Sequence, residues 1–174
     1  MGMSVTISVA DQGDAEQILK LQYLCYQSEA ELYGDWAIDP LTQSLDSLRE
    51  ELAGHCVLVA RLGGEVVGSV RGRLGDDGVA RVGRLVVHPR MQRHGLGSRL
   101  LQGVEERLAE SGPVTAYRLI TGHRSLGSQR LYRRLGYREA GVEEVSRRLS
   151  LVILEKPGVP AQASAPGPAL AASA

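Results

Sequence analysis

The sequence predicts an α/β chain of the α+β kind, with a mixed and mostly antiparallel central sheet flanked by helices. Three observations carry this. Segments of strand-like and helix-like apolar spacing follow one another as strand, two helices, three strands, helix, strand, helix, two strands. Glycine-rich turns at Gly63-Gly64 and Gly75 to Gly78 join successive strands closely, which favours antiparallel hairpins. One helical stretch lies between the strands around Val87 and Val114, a crossover that implies a parallel pair.

Val5 to Val9 alternates between apolar and polar residues and reads as the first strand. Asp11 to Asp14 supplies helix-start chemistry, and Ile18, Leu21 and Tyr23 or Cys25 recur at helical spacing, so the first helix is expected from about Asp14 to Glu29. Residues 30 to 44 lack a clear period. Leu45, Leu48 and Leu52 mark a second helix that ends near Gly54. Val57 to Ala60 and Val66 to Val70 flank the first glycine turn as a hairpin, and Val79 to Val87 follows the second. Leu96, Leu100, Leu101, Val104 and Leu108 form one stripe of a helix that Gly112-Pro113 stops. Val114 to Thr121 is a strand, and Ser125 to Leu135 a helix closed by Gly136. Tyr137 to Glu143 and Ser150 to Glu155 can pair as a final hairpin. The tail from Pro157 holds no charge and is rich in Ala, Pro and Ser. It cannot bury enough apolar surface to offset ordering entropy and is expected to be disordered, leaving residues 1–156 as one domain.

Composition narrows the function classes. No apolar run approaches the ~18 residues of a membrane span, so no membrane partner is expected. Met1 to Ala10 lacks the basic flank and apolar core of a signal peptide. Cys25 and Cys56 are isolated, which suggests neither a metal site nor a disulfide framework and suits a reducing cytoplasm. The net charge is zero but unevenly spread. Tyr23 to Ala53 carries seven acids, Glu29, Glu31, Asp35, Asp39, Asp46, Glu50 and Glu51, against Arg49 alone, whereas arginines outnumber acids from Arg71 to Arg148. An arginine-rich half can attract a polyanionic cofactor, and an acidic segment a cationic amine. Sparse aromatics with no interleaved basic cluster argue against nucleic acid.

The most specific signal is Gln92-Arg93-His94-Gly95-Leu96-Gly97, set between a strand and a helix. Glycines there let the backbone approach a ligand, and the first amides of the following helix lack internal partners and sit at a positive dipole end, which favours phosphate. A Walker loop is excluded, because neither lysine, Lys20 nor Lys156, stands in a Gly-Lys-Ser/Thr context. A dinucleotide fingerprint needs Gly or Ala where Leu100 stands. The pattern Gln/Arg-x-x-Gly-x-Gly/Ala does fit, preceded by Leu85-Val86-Val87-His88-Pro89 and followed by Leu100-Leu101. Downstream, Ser125 to Tyr137 matches Asn-x-x-Ala-x-x-Leu-Tyr-x-x-x-Gly-Phe/Tyr at Tyr132, Gly136 and Tyr137, with Ser125 in place of Asn and Ser128 in place of Ala.

In these two stretches the chain resembles the GNAT superfamily of acyl-CoA-dependent N-acyltransferases, over roughly residues 4 to 156. The resemblance implies the GNAT fold, whose sheet is splayed between the fourth and fifth strands. It implies acetyl-CoA as cosubstrate, with Gln92, Arg93, His94, Gly95, Leu96, Gly97 and Ser98 at the pyrophosphate. The main chain of Leu85, Val86 and Val87, freed by a bulge, would meet the pantetheine arm and the acetyl oxygen, and Ser125 and Ser128 would contact the cofactor from the later helix. Arg90 and Arg93 could add charge to the phosphate site. Family members are often dimers, which makes a homodimer one expectation.

Amine acylation makes three demands: a base for the ammonium proton, donors for the developing oxyanion, and a proton donor for the leaving thiolate. Ser125, Ser128 and Tyr132 share one helix face by their spacing, and the resemblance implies Tyr132 as the general acid. The strand glutamate that many relatives use as base is missing, since Arg81, Gly83 and Arg84 occupy the corresponding positions. His55, His88, Glu29 and Glu31 are alternatives. Trp36, Tyr26 and Tyr33 lie where the family builds its acceptor wall, and Trp36 reads as either wall or core. The expected function is N-acetyl transfer from acetyl-CoA to a primary amine of a small molecule or peptide, by direct attack in a ternary complex. The acidic segment points to cations such as a polyamine, an aminoglycoside or a lysine side chain. The alternatives are an acyl-CoA-binding sensor without turnover and a nucleotide-phosphate-binding protein.

Overall fold

The computed structural model describes residues 4–158, so the expectation of a disordered tail falls, beyond Gly158, outside the described residues. The strands are β1 (Val5–Val9), β2 (Cys56–Leu62), β3 (Glu65–Leu74), β4 (Val79–Val87), β5 (Ala116–Gly122), β6 (Arg138–Glu144) and β7 (Ser150–Pro157). The helices are α1 (Ala15–Tyr33), α2 (Asp39–Thr42), α3 (Leu45–Gly54), α4 (Leu96–Ser111) and α5 (Leu126–Arg134). They build one seven-stranded sheet in the order β1-β2-β3-β4-β5-β7-β6, antiparallel except for the β4–β5 pair. The α+β class expected from the element order is the observed one. The last hairpin joins through β7, so β6 forms the edge.

Three local readings change. Helix α1 runs one turn past Glu29 to Tyr33, because Gly34 takes a left-handed conformation (φ 64°) and caps it there. The segment read as unpatterned contains the short α2, started by Pro40 in its first turn. Strand β7 extends to Pro157, and the Gly158 amide bonds Thr115, so pairing continues two residues beyond the expected domain end.

Each face of the sheet is covered by its own apolar cluster. On one side α4 presents Leu100, Leu101 and Val104, all without solvent exposure, to Leu58, Val70, Ala80 and Val82. Helix α5 joins this side through Tyr132. On the other side Ala15, Ile18 and Leu21 of α1 and Leu48 of α3 cover Val57, Val59, Val66 and Val86. Burying a leucine side chain fully is worth roughly 1.5–3 kcal/mol, so the α4 stripe is a main source of stability.

Two polar clusters fasten the helices. Glu105 of α4 receives Lys156 of β7 (2.6 Å) and the Tyr137 hydroxyl (3.2 Å). On the opposite face Arg71 of β3 is buried and donates to Glu51 of α3 at 2.5 Å, to Gln43, and to Gln22 of α1. Its Nε has no acceptor.

Strand β4 carries the decisive irregularity. It pairs with β3 as Arg71↔Gly83 on one side of a register shift and Ser69↔Val86 on the other, so β4 holds one extra residue at a bulge. Arg84 sits there with φ 53°, a conformation rare for a residue with a side chain. Leu100→Ala is expected to cost about 2–5 kcal/mol of stability, read as a lower midpoint in urea unfolding with an unchanged slope.

Candidate active site

The loop after β4 makes a concave run of backbone donors. Arg93 (φ 68°) and Gly95 (φ 74°) both take left-handed conformations, which curl successive amides toward one side. Helix α4 begins at Leu96 directly after this turn, and its first external bond runs from the Arg99 amide to the Gly95 carbonyl. Among the described residues, the amides from His94 to Ser98 donate to no protein acceptor. The two loop glycines serve different ends. A Cβ on Gly95 would meet nothing within 4 Å, so its need is conformational. Gly97 is a matter of space, because its Cβ would lie 3.3 Å from Leu131 of α5 and 3.9 Å from Leu85 and Val87.

These donors open into a cleft of ≈ 470 Å³ between the loop and α5, whose walls include Leu85, Gln92, Gly97, Ser128 and Tyr132. The cleft continues into a second cavity of ≈ 830 Å³, and Leu85, Val87, Gln92, Ser128 and Tyr132 line both. The second cavity exists because β4 and β5 part. Their parallel pairing runs from Val79↔Ala116 to Val82↔Leu119 and stops at the bulge. Gly83 to Val87 form one wall and Leu119 to Gly122 the other, with Cys25, Tyr26 and Glu29 of α1 closing the wedge.

Most of the residues singled out from the sequence meet at this junction. Arg93, Gly95, Leu96, Gly97 and Ser98 line the cleft. Val86 is buried but borders the wedge, and Cys25 and Gln92 both donate to the Val87 carbonyl, Gln92 at 3.1 Å. His94 lines neither cavity, so only its main chain is available there. Arg90 also stays outside, and Arg134 of α5, which the sequence did not single out, lines the cleft. Trp36 is 60 % exposed and is therefore not a core residue.

Tyr132 is 8 % exposed and stands where the two cavities meet. Burial pushes its phenol well above the usual tyrosine range, with the neighbouring Tyr26 and Glu29 adding to the shift, so the proton is retained at neutral pH.

Ser125 departs from its expected role. It lines neither cavity, is buried, and gives its hydroxyl proton to the Glu29 carboxylate (2.8 and 3.0 Å). That proton being committed, the Tyr33 hydroxyl must donate to Ser125 (2.8 Å), while Tyr33 itself accepts from the Arg124 amide (2.9 Å). A directed chain of donors thus ends on Glu29. Of the four base candidates, Glu29 alone lines the wedge. His88 accepts from the Arg90 amide and caps a turn, His55 borders a separate cavity, and Glu31 faces solvent. Sequence reasoning could not choose among them, because Glu29 and Ser125 are 96 residues apart.

Cys25 is the one described cysteine on the wedge, and burial raises its thiol to about 11. It remains protonated at neutral pH and is a poor nucleophile. Among the described residues no group of three metal-ligating side chains assembles, and no helix is long and apolar enough to cross a membrane.

Comparison with known proteins gives concordant results. The family model "Acetyltransferase (GNAT) family" matches residues 15–137. A Danio rerio protein named "Probable N-acetyltransferase 14" is 43 % identical over 101 residues, which cover 55 % of this chain and 35 % of that protein, so the match spans about a third of the relative's length. Among solved structures, PaiA N-acetyltransferase from Thermoplasma acidophilum in complex with coenzyme A superposes with a TM-score of 0.74 at 18 % identity, covering 89 % of this chain and 99 % of that one. The ribosomal-protein-S18-alanine N-acetyltransferase from Escherichia coli gives 0.72 at 19 % identity, with 89 % and 94 % covered. These likenesses concern the fold.

Gly122 explains how closely Tyr33 packs: a Cβ there would lie 2.0 Å from the Tyr33 hydroxyl and 2.4 Å from its ring. Gly122→Ala is expected to displace Tyr33, release Glu29 from Ser125 and cost about 1–3 kcal/mol, measurable by denaturant unfolding.

Proposed function

Because the chain belongs to the GNAT acetyltransferase family, we propose that it transfers an acetyl group from acetyl-CoA to a primary amine of a small molecule or peptide. Residues 1–156 are taken as the acetyltransferase domain. The observation that carries this reading is the row of unpartnered amides from His94 to Ser98, opening into a wedge between β4 and β5. The residues fit the cosubstrate. A diphosphate matches the amide row at the positive end of α4, Arg93 and Arg134 add charge at the cleft, and the space left by the absent Gly97 side chain keeps the approach open. The main chain of Leu85, Val86 and Val87 would hold the pantetheine arm, and Gln92 keeps this strand end tied to the loop.

Bound acetyl-CoA supplies an activated acetyl thioester. The protein's part is proton management and orientation. Glu29, fixed by Ser125 and Tyr33, accepts the proton of the incoming ammonium. A main-chain amide in Leu85 to Val87 donates to the oxyanion that develops. Tyr132 holds its proton at the phenolic oxygen and supplies it to the departing sulfur. Ser125 is assigned to positioning Glu29, and Ser128 remains at the cofactor side. The protonated Cys25 favours direct attack by the amine over an acyl-cysteine route.

Gly97→Asp is expected to weaken acetyl-CoA binding at least tenfold by placing a carboxylate at the phosphate turn. Unchanged affinity by calorimetry would remove the loop assignment. Tyr132→Phe should lower turnover more than cofactor affinity, followed as free thiol release over an amine panel. Since the Tyr132 phenol titrates above its ordinary value of about 10, the wild-type rate should show no descending limb from this group below that pH. Cofactor binding with no turnover of any amine would favour a sensor.

A further inference from the structure

We infer that the acceptor carries a carboxylate a few bonds from its reactive amine, and that Arg84 recognises it. This rests on the acetyltransferase reading and specifies its acceptor. The wedge carries charges of both signs. Glu29, Asp35 and Asp39 line it, and none of these carboxylates forms an ion pair among the described residues. Arg81, Arg84 and Arg118 line it too, Arg81 beside Arg118 where β4 and β5 still pair. Arg118 is paired with Glu155 at 2.6 Å and Arg81 with Asp77 at 3.0 Å, whereas Arg84 has no carboxylate partner.

The surplus of positive charge extends behind Arg84. The stretch Arg81 to Arg84 also borders a cavity of ≈ 460 Å³ that holds Arg71, Arg73, His55 and only one acid, Glu51. Glu51 is taken by Arg71, whose Nε still lacks an acceptor although the residue is 4 % exposed. The half-buried Arg84 guanidinium, without a carboxylate of its own and bordering the same cavity as the buried Arg71, is unfavourable there unless an anion completes the set.

Backbone conformation adds an independent argument. Arg84 holds φ 53° although Gly83, beside it, could take such a conformation without strain. The strained residue is the one whose side chain enters the wedge, its guanidinium 5.9 Å above the Tyr26 ring. Tyr26 precedes Glu29 by three residues on the same face of α1, so it spans the interval between the arginine and the carboxylate. An amine seated by Glu29 and Tyr132 therefore directs its other end over Tyr26 toward Arg84. A second ammonium there would be repelled, which disfavours polyamines. A carboxylate would gain the paired donor geometry of a guanidinium.

The test compares amines that differ only by a carboxylate. Free amino acids are set against their decarboxylated amines, and short peptides with an acidic second residue against their neutral counterparts, following thiol release from acetyl-CoA. The wild-type protein should prefer the carboxylate-bearing member at least tenfold in kcat/KM. Preference among free amino acids identifies a small acceptor, and preference among peptides alone assigns the same contact to a peptide. In Arg84→Gln the preference should collapse, mainly through acceptor KM, and Arg84→Lys should restore part of it. Equal or better use of the decarboxylated amines by wild-type protein, or a preference that survives Arg84→Gln, overturns the inference while leaving the transferase reading intact. Failure to bind acetyl-CoA overturns both.

Discussion

The single extra residue in β4 is the constraint on which the rest of this structure depends. Side chains alternate along a strand, so one inserted residue exchanges the two faces beyond it. Before the bulge Ala80 and Val82 face the α4 core. Beyond it Leu85 and Val87 pack on that side, and Val86 turns to the α1 core. The same insertion bends β4 away from β5, whose pairing ends at Val82↔Leu119. A cavity opens inside the sheet rather than on its surface. Its walls are strand backbone, and its floor is formed by helices already anchored in the two cores.

The chemistry is distributed over that geometry by two helices. Helix α5 brings Tyr132 and Ser128 to the boundary between cleft and wedge, with Leu131 packed beneath the loop. Helix α1 acts as a ruler on the other side: Tyr26, Glu29 and Tyr33 are three and four residues apart and so lie on one face. Tyr33 and Ser125 spend their hydrogen bonds on orienting Glu29. Arg71 fastens α1 and α3 to β3 and so keeps α1 at a fixed height above the wedge. A buried charge network of this kind adds less to stability than to definition of position.

Burial shapes reactivity in a consistent direction. It keeps the Tyr132 phenol and the Cys25 thiol protonated at neutral pH, the first available as a proton donor and the second inert as a nucleophile. A serine replaces asparagine at the start of α5, and its short hydroxyl reaches across to α1 instead of into the cleft. The substitution visible in the sequence is thus tied to the position of a carboxylate on a distant helix.

The sequence alone was sufficient for the strands, the main helices and the glycine turn between β4 and α4. Their signals are local: the 3.6-residue stripe from Leu96 to Leu108, the glycine turns, and the Gln92 to Gly97 spacing each depend on neighbours within a few residues. The end of α1 was legible too in principle, at Gly34, but the irregular spacing after Glu29 obscured it. What only the tertiary structure decided is the exact place of the bulge, at Arg84, the insertion of β7 between β5 and β6, and that Glu29, of the four candidate side chains, is the one bordering the wedge. Each depends on which strands and helices lie side by side, from the β3–β4 register around Arg71↔Gly83 to the Glu29–Ser125 contact across 96 positions, and such pairings leave no periodic trace in the chain.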